Sequence, residues 1–121
     1  MIWNGFEKRR FPRAKFPCKI LIFLPQEHTL ITHTENIGCG GVRVIIEGGL
    51  KLFSIVGLEI FITPDQPIKC KGKIVWQLKT ANPLTNDILL FDVGLEFIDI
   101  KDSDKKKINT LVENLLKKEE C

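Results

Sequence analysis

Residues 30–46 read Leu30-Ile31-Thr32-His33-Thr34-Glu35-Asn36-Ile37-Gly38-Cys39-Gly40-Gly41-Val42-Arg43-Val44-Ile45-Ile46. Threonine mixed with apolar side chains over 30–36, and a second apolar run over 42–46, suit two β-strands. Between them stand Gly38, Gly40 and Gly41, which lack the Cβ that resists a tight turn or a bulge. The stretch therefore predicts two strands meeting at a glycine turn, with Gly48 and Gly49 ending the second.

The same grammar extends in both directions. Residues 18–24 are apolar and stop at Pro25, which cannot continue a central strand. Leu58, Ile60 and Ile62 alternate with Glu59, Phe61 and Thr63 as far as Pro64. Residues 68–78 form a long candidate strand, with Cys70, Gly72, Ile74 and Trp76 expected on one face and Lys69, Lys71, Lys73 and Val75 on the other. Residues 80–87 read as a hairpin loop and 88–98 as the last strand, where Val93, Leu95 and Phe97 alternate with Gly94, Glu96 and Ile98.

After Asp102 or Ser103, either a suitable N-cap, the period changes. Ile108, Leu111, Val112, Leu115 and Leu116 follow the stripe of an amphipathic helix. About six strands followed by one helix predict a mainly β domain, a six-stranded antiparallel β-barrel with a C-terminal amphipathic α-helix. Residues 1–17 are expected to form a basic N-terminal arm, 18–98 the barrel and 102–119 the helix.

At 121 residues, 44% of them hydrophobic, the chain suffices for one domain with a real core. The net charge of +3 is uneven, because residues 7–19 hold Lys8, Arg9, Arg10, Arg13, Lys15 and Lys19 against Glu7 alone. Charge gathered ahead of the barrel, rather than spread over a face, favours a compact anion over a long polyanion, so nucleic acid is not the expected partner. No apolar run approaches the roughly 18–20 residues of a membrane span, and no secretion signal is legible, so a cytoplasmic protein without membrane insertion is expected. Cys18, Cys39, Cys70 and Cys121 contain no Cys-x-x-Cys pair and have only His28 and His33 for company, so reduced thiols and no metal site are expected. Without a nucleophile elbow or a P-loop, no enzyme and no catalytic residue is expected.

Chemistry concentrates in Arg9-Arg10-Phe11-Pro12-Arg13, three guanidiniums within five residues. Each is flat, always charged and able to fork two hydrogen bonds onto a phosphate or a guanine edge. By itself the cluster also fits a solvated strand edge. The 36–41 run likewise fits a plain turn, and Trp76 fits a core position.

Arg9, Arg10 and Arg13, followed by Asn36 and then Gly40 and Gly41, resemble the PilZ domain family. That family carries Arg-x-x-x-Arg, or Arg-Arg-x-x-Arg, and then Asp/Asn-x-Ser-x-x-Gly. Val93-Gly94-Leu95-Glu96-Phe97 resembles a segment of the family's last strand, and Trp76 stands where many members carry tryptophan. The resemblance covers essentially the whole chain. It implies a six-stranded barrel that acts as a bacterial receptor for cyclic di-GMP and signals to a protein partner of unknown identity, as a monomer or homodimer.

On that resemblance Arg9 and Arg13 would bind phosphates and the O6/N7 edge of guanine, and Arg10 would stack on a base or add a phosphate contact. Asn36 would address a guanine's Watson–Crick edge, Gly40 and Gly41 would admit the ligand and tolerate positive φ, and Trp76 would stack on a purine. Gly38 departs from the pattern, standing where the family has serine, so one hydroxyl is missing and only its backbone N–H remains. That departure keeps open a PilZ-like adaptor that has lost the ligand. A small basic barrel for single-stranded nucleic acid is a third reading, with few aromatics to serve it.

Overall fold

Seven strands and one helix form among the residues described by the computed structural model, namely 13–14, 16–26, 28–80 and 90–120. They are β1 (Arg13–Ala14), β2 (Lys19–Phe23), β3 (Thr29–Gly38), β4 (Gly41–Glu47), β5 (Ile55–Phe61), β6 (Ile68–Thr80), β7 (Leu90–Phe97) and α1 (Asp102–Glu120). Every pairing is antiparallel. The order β3-β2-β5-β6-β7-β4 closes when β4 pairs with β3, giving the expected six-stranded barrel. β1 is an addition to that expectation. Two residues are too few for a period to register, yet they pair with the far end of β3, beyond the reach of β2. Most of the expected hairpin loop at 80–87 lies outside the described residues, as do Arg9 and Arg10.

Alternation builds the core. Ile20 and Ile22 of β2, Val42 and Val44 of β4, Leu58 and Ile60 of β5, and Val93 and Leu95 of β7 are all 2% exposed or less. Each such side chain contributes about 1.5–3 kcal/mol on leaving water. α1 adds the buried Ile108 and Val112, while Leu111, Leu115 and Leu116 pack half-buried at the margin. The helix rests on β3 and β1. It starts at Asp102, and its cap lies one residue before the nearer of the two expected caps. Lys105 N donates to Lys101 O at 3.0 Å, so Lys101 is the N-cap, and Asp102 and Asp104 lie in the first turn beside the positive end of the dipole. Among the described residues no helix is long and apolar enough to cross a membrane.

Two bulges reset the faces. On β3, Thr34 pairs with Val44 but Asn36 pairs with Arg43, two steps against one. On β6, Ile74 pairs with Leu95 but Trp76 pairs with Gly94. An extra residue reverses all later side chains. Trp76 therefore leaves the face of Ile74, where plain alternation had put it, and stands on the outside of the barrel.

Among the described residues Thr34 is the buried polar side chain, at 0% exposure. Its hydroxyl donates to Phe16 O at 2.5 Å and accepts from Cys18 N at 3.1 Å, while its own N–H donates to Cys18 O at 2.9 Å. This clasp fastens 16–18 to β3 and so fixes the passage from β1 to β2. Thr34→Val keeps the shape but leaves a buried donor and acceptor unpaired, and it should lower unfolding free energy by about 1–3 kcal/mol in urea titration.

Burial pushes the Cys70 thiol up to about 12 from its ordinary 9.0, with the Asp104 and Asp99 carboxylates adding to it. A thiol raised in the folded state contributes stability below the unfolded value and loses it as pH climbs through the folded one. Between pH 9 and about 12 the wild-type urea midpoint should therefore fall more steeply than that of Cys70→Val.

Candidate functional site

The glycine turn and the arm meet through register. Gly38 pairs with Gly41 across the β3–β4 turn, and on its other edge Gly38 pairs with Arg13. The two sequence motifs, more than twenty residues apart, thus occupy adjacent backbone positions at about 4.8 Å spacing. Cys39 and Gly40 form the turn between them, and Gly40 O accepts from Phe97 N at 2.9 Å, tying the turn to β7.

Cross-strand partners share a face, so the pairings define rows on the barrel's outside. One row runs Arg13, Gly38, Gly41, Glu96, Lys73 over β1, β3, β4, β7 and β6. The next runs Asn36, Arg43, Gly94, Trp76 over β3, β4, β7 and β6. Backbone register consequently brings Arg13, Asn36, Gly38, Gly41 and Trp76 to neighbouring positions beside the Gly40 turn, with Gly38 and Gly41 buried and Asn36, Gly40 and Trp76 half-buried.

The glycines have distinct reasons. A Cβ on Gly41 would lie 2.1 Å from Leu95 O, so barrel closure alone demands glycine there. The tolerance of positive φ is not used at the turn glycines: among the described residues the glycine with positive φ is Gly48, at 74° where β4 ends. A Cβ on Gly94 would meet Trp76 Nε1 at 2.1 Å, because the half-buried indole lies flat over that strand.

Two polar features mark the second row. Asn36 Oδ1 is buried and has no hydrogen-bond partner among the described residues. An unsatisfied acceptor costs about 1–3 kcal/mol. Next to it, Arg43 forks onto Asp92, with Nε to Oδ1 at 2.7 Å and Nη2 to Oδ2 at 2.8 Å. That hydrogen bond, with the charges of Asp92 and Glu35, raises the pKa of Arg43 further and holds it charged. Glu35 itself faces His33 at 3.3 Å.

Sequence reasoning missed Arg43 and Asp92. Their signal was a charge inside each of two apolar strands, 49 residues apart, which acquires meaning only once register is known. A groove of about 470 Å³ opens elsewhere, where β3 and β4 separate, lined by Leu30, Ile31, Thr32, Ile45, Ile46, Glu47 and Leu90. None of the motif residues lines it. The candidate site is a surface with a flat aromatic at one end, suited to a planar, stacking ligand.

Gly94→Val must displace the indole. In a Trp3→Phe background, Trp76 emission should shift to the red and stability should fall by about 1–3 kcal/mol; an unchanged spectrum would contradict this packing.

Comparison with known proteins agrees with the fold. Solved structures of similar fold include the Bacillus subtilis inhibitor of motility MotI/DgrA, at 19% identity and TM-score 0.71, covering 88% of this chain and 50% of that one. Another is the PilZ domain of Escherichia coli YcgR with c-di-GMP, at 13% identity and TM-score 0.70, covering 92% and 93%. A third is the K. pneumonia MrkH–c-di-GMP complex, at 11% identity and TM-score 0.74, covering 93% and 54%. The chain spans about half the length of MotI and MrkH. No curated protein matches it in sequence. At these identities the likeness carries the fold alone, but the family model described as PilZ domain matches residues 7–114, from the arginine cluster into α1. With that span matched, the chain belongs to the PilZ domain family.

Proposed function

We propose that this protein is a cyclic di-GMP receptor that binds the dinucleotide between its arginine arm and the outer face of the barrel, and signals to a protein partner. The observation that carries the reading is the register of Arg13 beside Gly38, which makes one surface of two motifs distant in sequence. PilZ structures of YcgR, MrkH and PlzA solved with c-di-GMP support the ligand class.

In this reading Arg9 and Arg13 bind phosphates and a guanine O6/N7 edge, while Arg10 stacks or adds a phosphate contact. Asn36 supplies an acceptor for the N–H groups of guanine's Watson–Crick edge, and its unpartnered Oδ1 fits that role. Gly38 and Gly40 offer backbone at the turn, Gly41 lets β4 pass close to β7, and Trp76 gives the aromatic surface. The bound dinucleotide becomes part of the surface that the partner meets.

A second reading, an adaptor that works without the ligand, is favoured by one residue, Gly38 in place of the family's serine. The missing hydroxyl corresponds to about 1.5–3 kcal/mol, or about 10- to 150-fold in affinity.

Isothermal titration separates the two. The receptor releases heat with cyclic di-GMP at about 100 μM, Arg9→Ala and Arg13→Ala each weaken binding by about tenfold or more, and Gly38→Ser tightens it. Silence from both the wild type and Gly38→Ser would leave the adaptor.

A further inference from the structure

The row that holds Asn36 and Trp76 also holds a cation outside both motifs. Arg43 lies between them, opposite Asn36 on one side and Gly94 on the other, with Trp76 opposite Gly94 in turn. The indole covers Gly94, so its flat body lies on the strand next to Arg43. Arg43 is held fast by the two hydrogen bonds to Asp92, at 2.7 and 2.8 Å. A guanidinium has five N–H donors in one plane, and this fork engages two of its nitrogens. The side chain remains 33% exposed, leaving donors directed away from the carboxylate.

The local charge decides what those donors can take. Asp92 and Glu35 both act on Arg43, two carboxylates against one guanidinium, an unfavourable setting for phosphate and a suitable one for a neutral base edge. Guanine offers two acceptors, O6 and N7, on its Hoogsteen edge; adenine offers one acceptor and one donor there.

We infer that Arg43 is a specificity-determining residue of the barrel face, donating from its free guanidinium edge to the O6/N7 edge of a guanine lying beside Trp76. Asp92 is its positioning residue, fixing the plane of the fork before the ligand arrives. This assignment rests on the cyclic di-GMP reading and names how the same surface distinguishes guanine from adenine.

Calorimetric titration of the wild type, Arg43→Lys, Arg43→Met and Asp92→Asn with cyclic di-GMP and with cyclic di-AMP tests it, with a urea titration of each variant alongside. Arg43→Lys and Arg43→Met should lose about 5- to 150-fold in affinity for cyclic di-GMP while cyclic di-AMP changes by less than about threefold. Asp92→Asn should narrow the ratio of the two affinities by a smaller factor. Arg43→Lys keeps a charge beside Asp92, so it decides the matter if Arg43→Met does not fold. Unchanged cyclic di-GMP binding in Arg43→Lys, or equal losses for both dinucleotides, would overturn the assignment and leave the receptor reading intact. Silence of the wild type towards both ligands would overturn the receptor reading and the assignment together.

Discussion

Everything in this molecule depends on the pairing of β3 with strands on both of its edges. On one side it meets β2 and then β1, on the other β4, and only that second contact closes the barrel. Closure removes the free edges that a small sheet would otherwise expose. It also permits a single interior, filled by β-branched and leucine side chains that are almost wholly withdrawn from water. The Thr34 clasp holds the other edge of β3, because a buried hydroxyl with two backbone partners fixes the chain between β1 and β2 against it.

A filled interior has a chemical corollary. With Ile37, Val42, Val44 and Leu95 facing inward, the polar neighbours between them are left on the outer surface. Asn36 and Arg43 reach that surface half-buried, beside the buried Gly38 and Gly41, because the bulge on β3 places Asn36 outside, and the bulge on β6 brings Trp76 to join them. The candidate site is thus made by two local irregularities laid over a regular barrel. Such irregularities re-aim side chains without altering the core beneath them.

Much of this was legible in the residues. Two-residue alternation marked β5, β6 and β7, the change of period marked α1 within a residue of its start, and Gly48 marked the end of β4. The motif residues that fall among the described ones, Arg13, Asn36, Gly38, Gly40, Gly41 and Trp76, lie at neighbouring register positions, which no local pattern announces. The bulges were not legible, since an added residue such as Val75 in an apolar strand looks like continued alternation, and it misplaced Trp76. β1 was too short to carry a pattern. The Arg43/Asp92 pair joins strands that are distant in sequence, and nothing local to either residue announces the other. Gly41 was legible as a glycine but for an incomplete reason, because the carbonyl of Leu95 that excludes a side chain belongs to β7.

The seat of α1 has a mechanical consequence. The helix rests on β1 and β3, the two strands whose register joins the arm to the glycine turn. Ile108 and Val112 are anchored in the same core as Ile37, one residue from Gly38. Helix and turn are therefore opposite ends of one short lever, with β3 as its fulcrum. A protein docked on α1 that altered the β1–β3 register would change the affinity of the turn for a ligand, and by reciprocity that ligand would change the docking by the same factor.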